Sequence, residues 1–208
     1  MSLTVKFSSA FLAFFLISCA SAQKRPYFIN EKFSSVAETS VAVLPFDNES
    51  VDIDSEKYMR DEVIKKLVSF GYSPLTSSYV DEKLKEIGIS DGGQLKAYKT
   101  SDLASKLSCR ILIYGTIENY IFQNLGFIVR KKAELYLRAE DGYDGAVLYE
   151  GFGAGDDSKI YTSKKEAETA FVLNTGVKLV SNISNKNFLM GEAVKKSVEK
   201  ALEKFPRR

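Results

Sequence analysis

The sequence predicts an α/β protein of mixed (α+β) character: a single mixed β-sheet of about five strands covered by helices. Three observations predict it. An unbroken apolar run with β-branched residues, Val41-Ala42-Val43-Leu44-Pro45-Phe46, reads as a strand buried on both faces. Helix-period segments separate this run from the next strands, supplying the crossovers that parallel pairing needs. Further on, Ala133, Leu135, Leu137 and Ala139 alternate with Glu134, Tyr136 and Arg138, the pattern of an antiparallel strand with one wet face.

The elements follow in order. After the first strand, stopped by Asp47-Asn48, Met59, Val63, Ile64, Leu67 and Val68 recur at helical spacing, with Asp54 or Ser55 placed to cap and Gly71 past the end. Tyr72 to Leu75 is a short second strand. Val80, Leu84 and Ile87 mark a second helix, capped by Ser77 or Ser78 and stopped by Gly88. Asp91-Gly92-Gly93 is a turn, and Ser101-Asp102 caps a short helix carrying Leu103, Ala104 and Leu107. Arg110 to Phe122 is a long strand whose antiparallel partner runs from Phe127 to Ala139. The turn 141–145 leads into a fifth strand, Ala146 to Phe152, and Gly151 to Gly155 reads as a flexible exit from an edge strand. Two helices close the chain, one carrying Val172, Leu173, Gly176, Val177, Val180 and Ile183, the other Met190, Val194, Val198, Ala201, Leu202 and Phe205.

The amino terminus carries an export signal. Lys6 begins it, Phe11 to Ile17 forms an apolar stretch far below the about 20 residues of a membrane span, and Ser18 precedes Cys19. Cleavage before Cys19 makes residues 1–18 a signal peptide and leaves a lipidated cysteine; Ala20-Ser21-Ala22 offers a second site, which releases soluble protein at Gln23. Residues 19–35 then read as lipidated cysteine and flexible tether, and 36–208 as the folded domain.

Composition bounds the chemistry. The 208 residues, 45% hydrophobic and 27% charged, suit one globular domain. A net charge of +2 provides no field for nucleic acid. The chain has no histidine, which removes the Ser-His-Asp arrangement and the commonest zinc ligand. Glu140, Asp141 and Asp144 are a carboxylate cluster, but they lie in a Gly-rich turn without calcium-loop spacing. With Cys19 lipidated, Cys109 has no disulfide partner and reads as a small buried residue at a strand start. The basic tail from Lys204 to Arg208 reads as a solvated helix end. No catalytic residue, metal site or cofactor is expected. Glu134, Tyr136 and Arg138, on the wet face of the meander, are the candidate interface, because tyrosine and arginine bury large area while keeping polar tips.

The run Val41 to Ser50 resembles the opening strand of bacterial envelope lipoproteins built on the TolB amino-terminal-like fold, which the curli secretion lipoprotein CsgG shares. Gly71-Tyr72, the acidic helix segment Val80-Asp81-Glu82-Lys83-Leu84, and the pair Ala133 to Leu137 with Leu148-Tyr149-Glu150-Gly151 are most similar to an outer-membrane lipoprotein family first noticed as neisserial surface antigens. That resemblance implies a periplasm-facing, membrane-anchored lipoprotein without enzymatic residues, binding an envelope protein partner in assembly or transport. A channel like that of CsgG would need membrane-spanning hairpins, and the sequence has no spare alternating segments for them. Two other readings stand beside the adaptor: a subunit of an oligomeric secretion assembly, homo-oligomers included, and an exported carboxylate-based hydrolase.

Overall fold

The apolar run from Val41 forms the middle of the sheet, as its composition requires. The computed structural model describes residues 27–125, 128–160, 163, 165, 166, 169 and 186–208. Its elements are β1 (Phe28–Ile29), α1 (Lys32–Ser35), β2 (Ser40–Val43), β3 (Asp47–Asn48), α2 (Ser55–Ser69), β4 (Ser73–Pro74), α3 (Ser77–Lys85), a 3-10 helix (Gly92–Ala97), α4 (Thr100–Leu107), β5 (Ile111–Asn124), β6 (Ile128–Asp141), β7 (Val147–Asp156), β8 (Lys159–Ile160) and α5 (Lys186–Ala201). Five of the strands are the expected five; β1, β3 and β8, two residues each, add to them. Cys19 and the expected helix through Val172 and Ile183 lie outside the described residues.

The sheet order is β1-β7-β6-β5-β2-β4, with β3 on β5 and β8 on β6. β2 is parallel to both β4 and β5, and β5-β6-β7 is an antiparallel meander. One face packs on α1, α2 and α5, burying Val41, Val43, Met59, Leu67, Ile113, Leu135, Leu137, Val194 and Leu202. The other face packs on α3 and α4 only around β2 and the start of β5, through Ala42, Leu44, Val80, Leu84, Leu103 and Leu112. Buried Arg60 ties the two layers together. Its Nε and Nη2 donate to the Val43 carbonyl at 3.1 and 2.8 Å, and its Nη1 pairs with Asp81 at 2.8 Å. Asp81 is therefore not the isolated surface charge its helix position suggests.

Several expectations are corrected. The tether does not extend to residue 35: Phe28 and Ile29 pair with Glu150 and Tyr149, and Phe33 is fully buried. The apolar pair Phe28-Ile29 and Phe33 take part in the fold because the open edge of β7 and the core beneath it can receive them. Thr76, not Ser77 or Ser78, caps α3, and its hydroxyl accepts from the Tyr79 amide. Helix α4 begins at Thr100, after Lys99, so Ser101-Asp102 lies inside it. Val68 is 57% exposed at the rim of α2. The basic tail is docked: the Arg208 amide donates to the Phe70 carbonyl at 2.8 Å, and Phe205 meets Phe33, Tyr72 and Tyr149 edge-on at 5.0 to 5.4 Å. Phe205 is what holds the tail, since a ring buried among three others outweighs the solvation of two terminal arginines.

The Gly-rich run is the largest correction. Gly151, Gly153 and Gly155 belong to β7, and a Cβ on them would lie 2.1, 1.8 and 1.8 Å from the carbonyl oxygens of Ala201, Ser197 and Ala193. Helix α5 therefore lies directly on the strand backbone, with the Ser197 hydroxyl donating to the Gly153 carbonyl at 3.0 Å.

Candidate functional site

Because α5 occupies the glycine side of β7, alternation turns Glu150, Phe152 and Ala154 to the opposite side. There they join Glu134, Tyr136 and Arg138 of β6 through the register Arg138↔Glu150, Tyr136↔Phe152 and Glu134↔Ala154. Tyr114 and Thr116 of β5 complete the face, opposite Arg138 and Tyr136. Among the described residues, no helix lies over this part of the sheet; α3 and α4 stop at its border.

The side chains on the face are half-buried and mutually tied. The Tyr136 hydroxyl donates to Glu150 at 2.6 Å. Arg138 Nε pairs with Glu140 at 2.9 Å, and its guanidinium carbon lies 5.4 Å from the Tyr114 ring centroid. Glu140 also accepts from Thr100, whose hydroxyl receives a 3.2 Å bond from Tyr114. Burial pushes the Tyr114 phenol up from its ordinary pKa. Glu134 pairs with Lys132 at 2.6 Å and accepts from Asn119. A pocket of about 260 Å³ opens where this face meets the 3-10 helix, lined by Tyr98, Lys96, Tyr114, Tyr136 and Arg138 among others. Strand register thus brings the three expected residues together. Sequence reading missed Tyr114, Thr116, Glu150 and Phe152, whose signal was the same period-two alternation on the neighbouring strands.

Two of the turn carboxylates converge on a lysine, not on open space. Asp141, its side chain 0% exposed, receives a two-pronged contact from Arg110 at 3.0 and 2.9 Å, and Lys32 reaches it at 2.7 Å. The same Lys32 ammonium lies 2.6 Å from Asp144. Arg110 above all, then Lys32, holds the Asp141 carboxyl well below its usual range against the opposing effect of burial. A cation already lies between the two aspartates, and Glu140 turns away to the open face. No group of three His, Cys, Asp or Glu that could hold a metal occurs among the described residues. Cys109 is buried as expected, and burial pushes its thiol up, the reverse of an activated nucleophile. No helix among the described residues is long and apolar enough to cross a membrane.

A mixed sheet with helices on one face, partly covered on the other by two short helices, defines an α/β domain with an exposed meander. The chain belongs to the GNA1162-like lipoprotein family, whose pattern matches residues 30–201. No curated protein sequence matches it. Among solved structures it is similar to lipoprotein GNA1162 from Neisseria meningitidis, at 19% identity and a TM-score of 0.54, over 69% of this chain and 99% of that one. It is also similar to a PelC variant dodecamer from Paraburkholderia phytofirmans, at 12% identity and a TM-score of 0.50, over 82% and 90% of the two chains. The expected α/β sheet and the resemblance to the neisserial lipoproteins are both met.

Proposed function

We propose that this chain is a lipid-anchored, periplasm-facing adaptor lipoprotein that works by protein–protein contact through the open face of the meander. The observation that carries the reading is that face: Tyr114, Tyr136, Arg138 and Phe152 gathered on a rigid antiparallel sheet, with no helix over them among the described residues. Aromatic and arginine side chains are the ones that dominate binding energy at interface centres. Here hydrogen bonds and an ion pair hold Tyr114, Tyr136 and Arg138 in place, so little of their rotamer freedom is left to lose on binding. Membership of a lipoprotein family supports the anchor at Cys19, the envelope location and the absence of catalysis. The commitment of Asp141 and Asp144 to Arg110 and Lys32 speaks against a carboxylate-based hydrolase.

A second reading is self-assembly, favoured by the dodecameric state of the PelC relative. The two are separated by recovering tagged protein from native envelope, identifying co-eluting chains, and measuring its mass in mild detergent. Tyr136→Ala combined with Arg138→Glu abolishes recovery of a foreign partner if the adaptor reading holds, with circular dichroism and membrane fraction unchanged. Recovery that survives the double substitution refutes this face as the interface. A multimeric mass that the same substitution reduces to the monomer identifies the partner as a second copy.

A further inference from the structure

The β5–β6 hairpin extends well past the rest of the sheet. Pairing with β7 ends at Lys132↔Asp156; beyond it, among the described residues, β8 is the one strand that accompanies the hairpin, through Ile128↔Ile160 and Val129↔Lys159. This free end exposes apolar side chains that a protein surface normally hides. Ile160 is 76% exposed, Leu125 66% and Ile128 40%, and they gather at one end of the hairpin, since Ile128 faces Ile160 and the Leu125 amide donates to the Ile128 carbonyl at 2.8 Å. The rim of the patch has a positive excess: Arg130, Lys131, Lys132 and Lys159 stand against Glu134, Asp156 and Asp157. Lys131 and Lys132 are paired with Asp157 and Glu134, while Arg130 and Lys159 stand exposed beside the isoleucines. Asp156 accepts at 2.7 Å from the Ser158 amide, and that bond first, then the nearby charges of Arg130 and Lys132, hold its carboxyl below the usual range. Apolar side chains that enter an acyl boundary, ringed by cations that meet headgroups, are the composition of an interfacial membrane contact.

The geometry of the chain's start agrees. β1 is antiparallel to β7, so, traced backward from Ile29 to Phe28, it points toward the hairpin end from the level of Glu150 and Arg138. Ten residues of β6 separate Arg138 from Ile128, about 33 Å at strand rise. Cys19 lies nine residues before Phe28, a reach of at most about 30–32 Å. A small tilt of the strand axis closes the difference, and a larger tilt leaves slack. The β6–β7 turn lies at the far end of the strand, about 45 Å from the tip.

We propose that the free end of the β5–β6 hairpin is a membrane-contact surface, seated on the anionic phospholipid leaflet that carries the Cys19 anchor. The proposal rests on the anchor in the proposed function. It fixes the orientation of the domain, hairpin end down, and so stands the open face of the meander upright on the bilayer, looking parallel to the membrane rather than toward the lipid.

The test uses the full chain, reconstituted through its own anchor into vesicles containing phosphatidylglycerol and brominated acyl chains. An environment-sensitive fluorophore is attached at Leu125→Cys or, separately, Ile160→Cys, with Ser35→Cys, exposed at the opposite end, as the reference; buried Cys109 does not compete for label. The expected result is a blue-shifted, quenched probe at Leu125 and Ile160 and an unquenched probe at Ser35. Each cation near an anionic surface is worth roughly fivefold in binding, so Arg130→Gln with Lys159→Gln lowers the ratio of seated to free hairpin by roughly 25-fold at low salt. Phosphatidylcholine vesicles weaken quenching in the same direction. Protein that floats with the vesicles but shows the same unquenched emission at all three positions overturns the proposal and leaves the anchor standing. Protein that does not float refutes the anchor, and the proposal falls with it.

Discussion

Replacing Gly153 by alanine tests the packing that creates the open face. The added Cβ would fall 1.8 Å from the Ser197 carbonyl oxygen and 2.6 Å from the Ala201 nitrogen. Both are backbone atoms of α5, so no side chain can swing aside to make room. Ordinary contact needs the helix to withdraw by about 1.5 Å, and a gap of 0.5–1 Å already forfeits a quarter to a half of the dispersion well along the interface. Overpacking of this kind costs about 1–3 kcal/mol. Lengthening the 3.0 Å bond from the Ser197 hydroxyl to the Gly153 carbonyl removes about 1 kcal/mol more. The expected loss is therefore about 2–4 kcal/mol, measured as the shift in free energy from urea denaturation at constant m. The sign makes the experiment decisive. In a strand whose glycine faced open space, the same substitution would stabilise by about 0.5–1 kcal/mol through backbone entropy. Gly191→Ala in α5 supplies that comparison, since the nearest atom to its added Cβ is the movable Tyr58 hydroxyl at 3.3 Å. A Gly153→Ala protein as stable as the parent would refute the seating of α5 on β7.

Two further outcomes are expected. Leu44→Ala and Ile113→Ala, one buried under α3 and α4 and the other under α2 and α5, should each cost about 2–5 kcal/mol; a shift under about 1 kcal/mol in urea denaturation would place either outside the core. Asp141→Asn should cost about 3 kcal/mol at pH 7, the low end for breaking a buried pair, because Arg110 keeps Glu38 at 3.1 Å. The native Asp141 carboxyl is held below its unfolded value, so its contribution is complete above about pH 4 and is lost as pH falls through the native pKa. The gap between parent and variant should narrow on acidification below about pH 4, and a gap constant down to pH 2 would count against the ion pair.

Much of the fold was legible because long elements carry their own periodicity. The buried run at Val41, the α2 stripe of Met59, Val63 and Leu67, and the alternation from Ala133 to Ala139 each reported both element type and buried side. What escaped depended on partners distant in sequence. Phe28-Ile29 is too short to show a period and is a strand only because the edge of β7 accepts it. Lys204 to Arg208 has a solvated composition, but Phe205 anchors it among rings contributed by α1, Tyr72 and β7. On β5 a bulge between Ile117 and Asn119 shifts the phase of the alternation, so Ile117 and Tyr120, three apart, both point to the core. A strict period-two reading carried along that strand would have assigned its upper half to the wrong side. Tyr114 and Thr116 lie before the bulge, where the alternation of Ile111, Ile113, Gly115 and Ile117 still holds and marks them for the opposite side.

The glycines show how the site itself follows from packing. Three of them at every second position fall on one side of β7, spaced about 6.7 Å apart along the strand. Carbonyls four residues apart on a helix, here Ala193, Ser197 and Ala201, repeat about every 6 Å. The two repeats nearly coincide, so the helix can rest on three bare backbone positions in succession. Flexibility was the natural reading of Gly151 to Gly155 in isolation; the two-residue spacing was the signal for close approach. Once α5 takes that side, strand alternation leaves no choice about the other: Glu150 and Phe152 must point away from it, beside Tyr136 and Arg138. A one-residue slip of β7 would bring side chains against α5 and turn the glycines outward. The same three residues that seat the helix thus specify which side chains the open face presents.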